Sequence, residues 1–281
     1  KKTNDREKLL KNFINPVSGY YLCDHFVGIE IHKDYPYIPI KIEEYKNDLL
    51  KTKNLSLIND YDIIYVEINY FDLFIEQILN KINKKIVLVT GQWYGPQIFR
   101  NNKSDYVLNH KNILLWVSQN PIYVNSINYF PIPYGIAPFA VEIYSNVLLE
   151  TYNNLKTKNI IHLPINPNTN ECRKKLPFLK DIPIKEFYEE TAKAKFLISP
   201  IGDRDDCYRH TESIGLGTIP ISNVDHLHKQ LFKNNMHYSN INDMVDFLNK
   251  NEIDSKCIID KNFISFDYHK NLIFERIEML K

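Results

Sequence analysis

Cysteine, glycine and any excess of one charge are all scarce in this 281-residue chain. The four cysteines, Cys23, Cys172, Cys207 and Cys257, lie far apart and form no CxxC pair, which excludes a zinc ribbon or a small disulfide framework and leaves reduced thiols. Lys plus Arg (35) and Asp plus Glu (34) nearly cancel, so the chain lacks the long-range field of a non-specific nucleic-acid or anionic-membrane binder. No run of about 18 apolar residues occurs, and the opening KKTNDREKLL lacks the apolar core of a signal peptide. The expectation is a chain without a membrane span, cytoplasmic or peripheral to a membrane. It does not begin with Met, so an anchor or domain upstream of Lys1 stays open. No 20- to 50-residue repeat and no low-complexity segment interrupts it.

With 44% hydrophobic and 25% charged residues, the composition supports a buried core rather than disorder. The length suits two α/β domains of roughly 130 residues each. YDIIYVEI (61–68), KKIVLVT (84–90) and NILLWVS (112–118) are apolar runs without strict alternation, which fits strands covered on both faces of a parallel sheet. Between the first two, FDLFIEQILNKI carries apolar residues at helical spacing. Ligands in such sheets lie beyond the carboxyl ends of the strands, which directs attention to Glu67–Tyr70, GQWYGPQ (91–97) and SQNP (118–121). The proline-rich PIPYGIAPF then breaks the pattern, and a second series follows. KNIIHLPI (158–165), KFLISPI (195–201) and TIPIS (218–222) read as strands. NTNECRKKLPFL, EFYEETAKAK, NDMVDFL and the terminal YHKNLIFERIEML read as helices.

The most informative stretch is FLISPIGDRDDCYRHTESIGLGTIPIS (196–222), with three of the eight glycines. A strand ends at Ser199-Pro200, a loop leads to a helix that Asp205 or Asp206 can cap, and the helix stops at Gly215 or Gly217. A helix amino end favours an anion such as a diphosphate. Arg209, in the first turn, adds a forked cation. Glu212, three residues on and on the same face, suits a pair of ribose hydroxyls. The alternative for Arg209 and Glu212 is a surface ion pair, worth only a few tenths of a kcal/mol.

The string SPxGxxxDxxRxxExxxxGxIPI at 199–221 resembles the C-terminal signature of exostosin-like glycosyltransferases and related capsule and lipopolysaccharide sugar transferases. The resemblance implies the GT-B architecture, two Rossmann-like lobes with parallel sheets facing a central cleft. It implies an acceptor-binding domain at 1–145 and a nucleotide-sugar-binding domain at 146–265, with 266–281 a helix that could return to the first. Carried over by position, it makes Arg209 the diphosphate contact and Glu212 the ribose contact, with Ser199, Gly202 and Asp206 shaping the same site. Members often carry a bulky aromatic before the glutamate; this chain has Thr211. Related transferases also place donor contacts where Asn166 and Arg173 stand, although Arg173, beside Lys174 and Lys175, equally suits a solvated helix face.

Asp203-Arg204-Asp205 spells DxD, a metal-holding string in another glycosyltransferase fold. With a helix end and Arg209 to neutralise phosphates, no essential metal and no further cofactor are expected. The base that activates the acceptor hydroxyl is sought in the first lobe. SGYYLCDHFVG (18–28), read as a first strand and loop, supplies His25 and Asp24, and Glu67 ends the next strand. A structural role for His25 is the alternative. The expected function is transfer of a sugar from a nucleotide-sugar donor to a glycan or other hydroxyl acceptor, in surface polysaccharide or glycoconjugate synthesis. The competing reading is a non-catalytic two-lobed sugar or nucleotide binder. An epimerase would need GxGxxG at the first strand, and none is there.

Overall fold

The structure is a computed structural model and describes residues 2–28, 47–91 and 97–281. Most of the expected ligand loop GQWYGPQ, residues 92–96, lies outside the described residues. The chain divides into two compact units, Lys1–Pro133 with Phe266–Lys281, and Tyr134–Ser265. The division falls inside PIPYGIAPF, ahead of the expected domain boundary at 145. Each unit is an α/β layer structure on a parallel sheet, Rossmann-like in kind.

The first unit begins with α1 (Lys2–Asn12) and α2 (Ser18–Leu22). Its described strands are β1 (His25–Val27), β2 (Asn47–Asp48), β3 (Ile63–Glu67), β4 (Ile86–Gly91), β5 (Ile113–Gln119) and β6 (Tyr129–Ile132), in the order β2-β1-β3-β4-β5-β6. All pairs are parallel. Every residue of β3, β4 and β5 is buried, the two-sided covering that their unbroken apolar runs require. The helices α3 (Leu49–Thr52), α4 (Phe71–Phe74) and α5 (Asn102–Leu108) belong to this unit. FDLFIEQILNKI forms α4 and then a π turn at Ile75–Leu79.

SGYYLCDHFVG is not one strand. Asn15 and Ser18 close a turn on each other, with Asn15 N–H donating to Ser18 Oγ at 2.9 Å and Val17 N–H to Asn15 Oδ1 at 2.9 Å. Residues 18–22 continue from that turn as α2, and the strand starts only at His25.

The second unit holds β7 (Lys158–Ile161), β8 (Ala194–Ile198), β9 (Ile219–Ser222) and β10 (His237–Tyr238), neighbours in chain order and all parallel. Its helices are α6 (Val141–Thr151), α7 (Ile184–Ala192), α8 (Tyr208–Gly215), α9 (His226–Phe232) and α10 (Ile241–Lys250). NTNECRKKLPFL gives only a 3₁₀ turn at Glu171–Lys175. Pro177 holds Leu176 extended at φ −87° and ψ 152°, which stops a helix there. Lys156 Nζ donates to the carbonyls of Ala192 and Leu216, at 2.7 and 2.8 Å, and so ties the carboxyl ends of α7 and α8 together.

The last helix, α11 (Phe266–Leu280), belongs to the first unit, where Phe266, Ile273 and Ile277 join the core formed with Val87, Val89, Leu115 and Val117. Among the described residues, no helix is long and apolar enough to cross a membrane.

Candidate functional site

In the second unit the carboxyl ends of β7 and β8 open onto a cleft of about 360 Å³, within the size range of small-molecule sites. Its walls come from Ala137 and Phe139, from Pro164 beyond β7, from Asp181–Tyr188 around the start of α7, and from Cys207–Glu212 at the start of α8. Arg209 and Glu212 both line it.

The helix starts later than its sequence suggests. Cys207, not Asp205 or Asp206, is the capping residue, with extended backbone at φ −127° and ψ 158°. Asp206 is fully buried and accepts the backbone N–H of Tyr134 through Oδ2 at 2.5 Å, binding the loop to the start of the unit. The far end closes as the glycines indicate. Gly217 has φ +73°, its N–H donates to Ile214 O, and Thr218 N–H donates to Ser213 O, which together make a Schellman stop.

Arg209 and Glu212 do not form the surface ion pair that their spacing allows; each has other partners. The Arg209 guanidinium lies 4.7 Å over the Phe187 ring and donates from Nη2 to Pro164 O at 2.5 Å. Burial pulls its pKa down to about 10, still cationic at neutral pH. Glu212 is 5% exposed, and its Oε1 accepts both the Ala137 N–H at 3.0 Å and the Tyr188 O–H at 2.9 Å. Burial raises its pKa to about 6, against the lowering effects of those two hydrogen bonds and of the Arg209 charge. Burial first, and then the Glu212 charge, pushes the Tyr188 phenol far above its usual range, so it stays a donor.

Arg173 is buried, which overturns the solvated helix face as its setting. It donates to Ile201 O at 2.7 Å, Pro200 O at 3.0 Å and Thr169 Oγ1 at 2.8 Å. Carbonyls at the end of a strand are otherwise without donors, and the planar fork of an arginine meets several at once. Gly202, itself buried, lies directly under that guanidinium. Asn170 Nδ2 donates to Gly202 O at 2.9 Å.

Asn166 is exposed and turns its Oδ1 to the Asn168 N–H at 2.9 Å, an Asx turn rather than a wall of the cleft. Ser199 is fully buried; its carbonyl accepts from His210 Nε2 at 2.9 Å. Thr211 is also fully buried. Aromatic surface comes from elsewhere: Tyr134 and Tyr208 stack at 4.8 Å and 21°, with the Arg204 guanidinium 4.9 Å over Tyr134.

Of the DxD string, Asp203 is exposed and Asp205 Oδ2 accepts the Asp225 N–H at 3.1 Å. Asp205, Asp225 and His228 bring possible ligand atoms within 4.8 Å of one another. Asp225 Oδ1 caps α9 through the His228 N–H at 2.9 Å and meets His228 Nδ1 at 2.7 Å, so helix capping accounts for the Asp225–His228 pair.

In the first unit, Asp24 and His25 stand at the amino end of β1, not at the carboxyl end where they were expected. There Asp24 Oδ2 accepts the Ile63 N–H at 2.8 Å and His25 Nε2 meets Asp62 Oδ2 at 3.0 Å, contacts between the amino ends of adjacent strands. Glu67 does lie at the carboxyl end of β3; it is 1% exposed and accepts the Tyr20 O–H at 3.0 Å. Gly91 and Gln119 end the next two strands beside it.

The residues that sequence reasoning missed are Tyr188, Phe187, Cys207 and the Ala137 N–H. Phe187 and Tyr188 carry no local signal in a chain with 19 tyrosines and 15 phenylalanines; they come from α7 and Ala137 from before α6, while Cys207 caps α8 itself. Fold and cleft together define a two-unit parallel α/β protein with a cationic, aromatic-walled pocket at the amino end of a helix. No protein-family model matches the chain, and no curated protein matches it in sequence.

Proposed function

We propose that the protein is a GT-B-type glycosyltransferase, and that the cleft of the second unit takes the nucleotide-sugar donor. The observation that carries the reading is the meeting of Arg209 and Glu212 at the first turns of α8 as walls of one cleft. The free N–H groups and dipole of the helix end, with the adjoining guanidinium, suit a diphosphate. The Ala137 and Tyr188 hydrogen bonds to Glu212 both fall on Oε1, so Oε2 is the oxygen that would meet ribose hydroxyls. Phe187, Phe139 and Tyr208 supply faces for a base or sugar ring. The departing diphosphate would be stabilised by Arg209 and the helix end.

The acceptor belongs to the first unit in this reading, and Glu67 is the base to be tested first, since it alone of the three candidates stands at a strand's carboxyl end. The deciding experiment is calorimetric titration with a panel of nucleoside diphosphates and their sugars, followed by a search for transfer products with glycan acceptors. Failure of every nucleotide to bind would end the donor-site reading. Binding of a nucleotide sugar without turnover on any acceptor would favour the non-catalytic binder instead.

A further inference from the structure

The same cleft is lined by a thiol that donor binding does not use. Cys207 caps the eight-residue helix α8, and its Sγ lies 3.7 Å from His210 Nε2. Ser199 O can only accept, so the 2.9 Å contact to it requires a proton on that same Nε2. That N–H, shared between Ser199 O and the sulfur, favours the thiolate. On the other side of the ring, His210 Nδ1 is 3.3 Å from the Cys207 N and 3.6 Å from Asp206 Oδ1. That carboxylate oxygen is buried and accepts no hydrogen bond. Thiol, imidazole and carboxylate thus follow one another from the wall of the cleft into the core.

The charges around the sulfur come from three elements: His210 and Arg209 on α8, Asp206 on the preceding loop, and Arg173 from the 3₁₀ turn. Burial opposes ionisation of the thiol, but the His210 charge and hydrogen bond, helped by Arg173 and opposed by Asp206, hold Cys207 below the usual thiol range. Burial likewise opposes the imidazolium, while the Cys207 charge and then the neighbouring Asp206 carboxylate lift His210 to about 10. Cys23 is buried, whereas Cys172 and Cys257 are partly exposed like Cys207 and serve as internal references.

We propose that Cys207 is a reactive thiolate and a site of thiol–disulfide exchange with small disulfides that enter the cleft. The thiolate attacks one sulfur of the disulfide, the new S–S bond forms as the old one breaks, and the departing thiolate takes a proton from solvent. The disulfide is the only oxidant, His210 keeps its proton throughout, and excess thiol reverses the step. The adduct would lie in the cleft beside Arg209. The inference holds whether or not that cleft takes a nucleotide sugar.

The test uses the full chain with glutathione disulfide, and in parallel with iodoacetamide, at pH 6 to 9, with peptide mapping to assign each modified cysteine. Cys207 is expected to react at least about tenfold faster than Cys172 or Cys257 at pH 6, because each unit by which a thiol pKa is lowered gives about tenfold more thiolate there. Its rate should level off well below pH 8.5, the ordinary thiol midpoint. In His210→Gln the advantage should vanish while Cys172 and Cys257 keep their rates. If Cys172 or Cys257 reacts as fast as Cys207 in the unaltered chain, or if the Cys207 rate still climbs through about pH 8.5, the proposal is overturned. Neither of those outcomes depends on the variant folding.

Discussion

The guanidinium of Arg173 lies so close over Gly202 that a β carbon on the glycine would stand 2.8 Å from Nη2 and 3.2 Å from Cζ. The loop that follows β8 is shaped by this contact, since the same arginine binds the carbonyls of Pro200 and Ile201. A side chain at position 202 must displace the guanidinium from the carbonyls it binds.

Gly202→Ala is therefore expected to destabilise the protein by about 1–3 kcal/mol, the usual cost of overpacking. Arg173→Ala should also destabilise, by leaving strand-end carbonyls without donors. The double variant should lose less than the sum, because the second change removes the atom that the first one strikes. Denaturant melts of the four proteins measure this, and strict additivity would show that the two residues do not constrain each other.

Glu212 is expected to make ligand binding and stability respond to pH in opposite directions. Its pKa rises from 4.5 to about 6 on folding, so between those values the native state holds more protons than the unfolded chain. The contribution of Glu212 to stability is then greatest at low pH and is lost as pH rises through about 6, by up to about 2 kcal/mol. Nucleotide binding through ribose hydroxyls needs the ionised carboxylate, so affinity should rise across the same window, about tenfold between pH 5 and pH 7. Glu212→Gln should flatten both profiles. An affinity that is indifferent to pH in the unaltered protein argues against the ribose role.

Arg209→Ala is expected to weaken a nucleoside diphosphate by about 10- to 100-fold, the loss of one or more charge-assisted hydrogen bonds, while the bare nucleoside changes by less than about threefold. Calorimetry with matched ligands separates the two. Equal losses would assign Arg209 to packing against Phe187 rather than to phosphate.

For the base, Glu67→Gln should lower turnover by about 100-fold or more with donor affinity unchanged. His25→Gln should instead cost about 1 kcal/mol of stability through its lost contact with Asp62 and leave turnover near normal. Turnover that survives Glu67→Gln but collapses with His25→Gln would reverse the assignment.

Activity is expected to persist in EDTA, since Asp225 is engaged in capping α9 and Asp205 in holding the Asp225 N–H. Activity lost to EDTA and restored by Mn²⁺ would make these carboxylates metal ligands.

The strands and the helix stop were written locally. Ile63–Val66, Ile86–Val89 and Ile113–Val117 are apolar without alternation, and only a strand covered on both faces buries such a run; Gly217, as a glycine, takes φ +73° without strain. The RxxE pair was visible for the same reason, because helical spacing puts Arg209 and Glu212 on one face. The tertiary structure decided what those residues meet. Asp206 reads as a helix cap, but Tyr134, 72 residues earlier, supplies the N–H it accepts, and Cys207 takes the capping position. His25 reads as a residue at a ligand edge, but the strand begins there, because the turn closed by Asn15 and Ser18 makes the preceding residues a helix. Tyr188, Ala137 and Phe187 join the site from elements distant in the chain, through hydrogen bonds and ring contacts that no local spacing encodes. Local sequence sets backbone preferences within a few residues; which buried donor satisfies which buried acceptor is settled only when the elements pack.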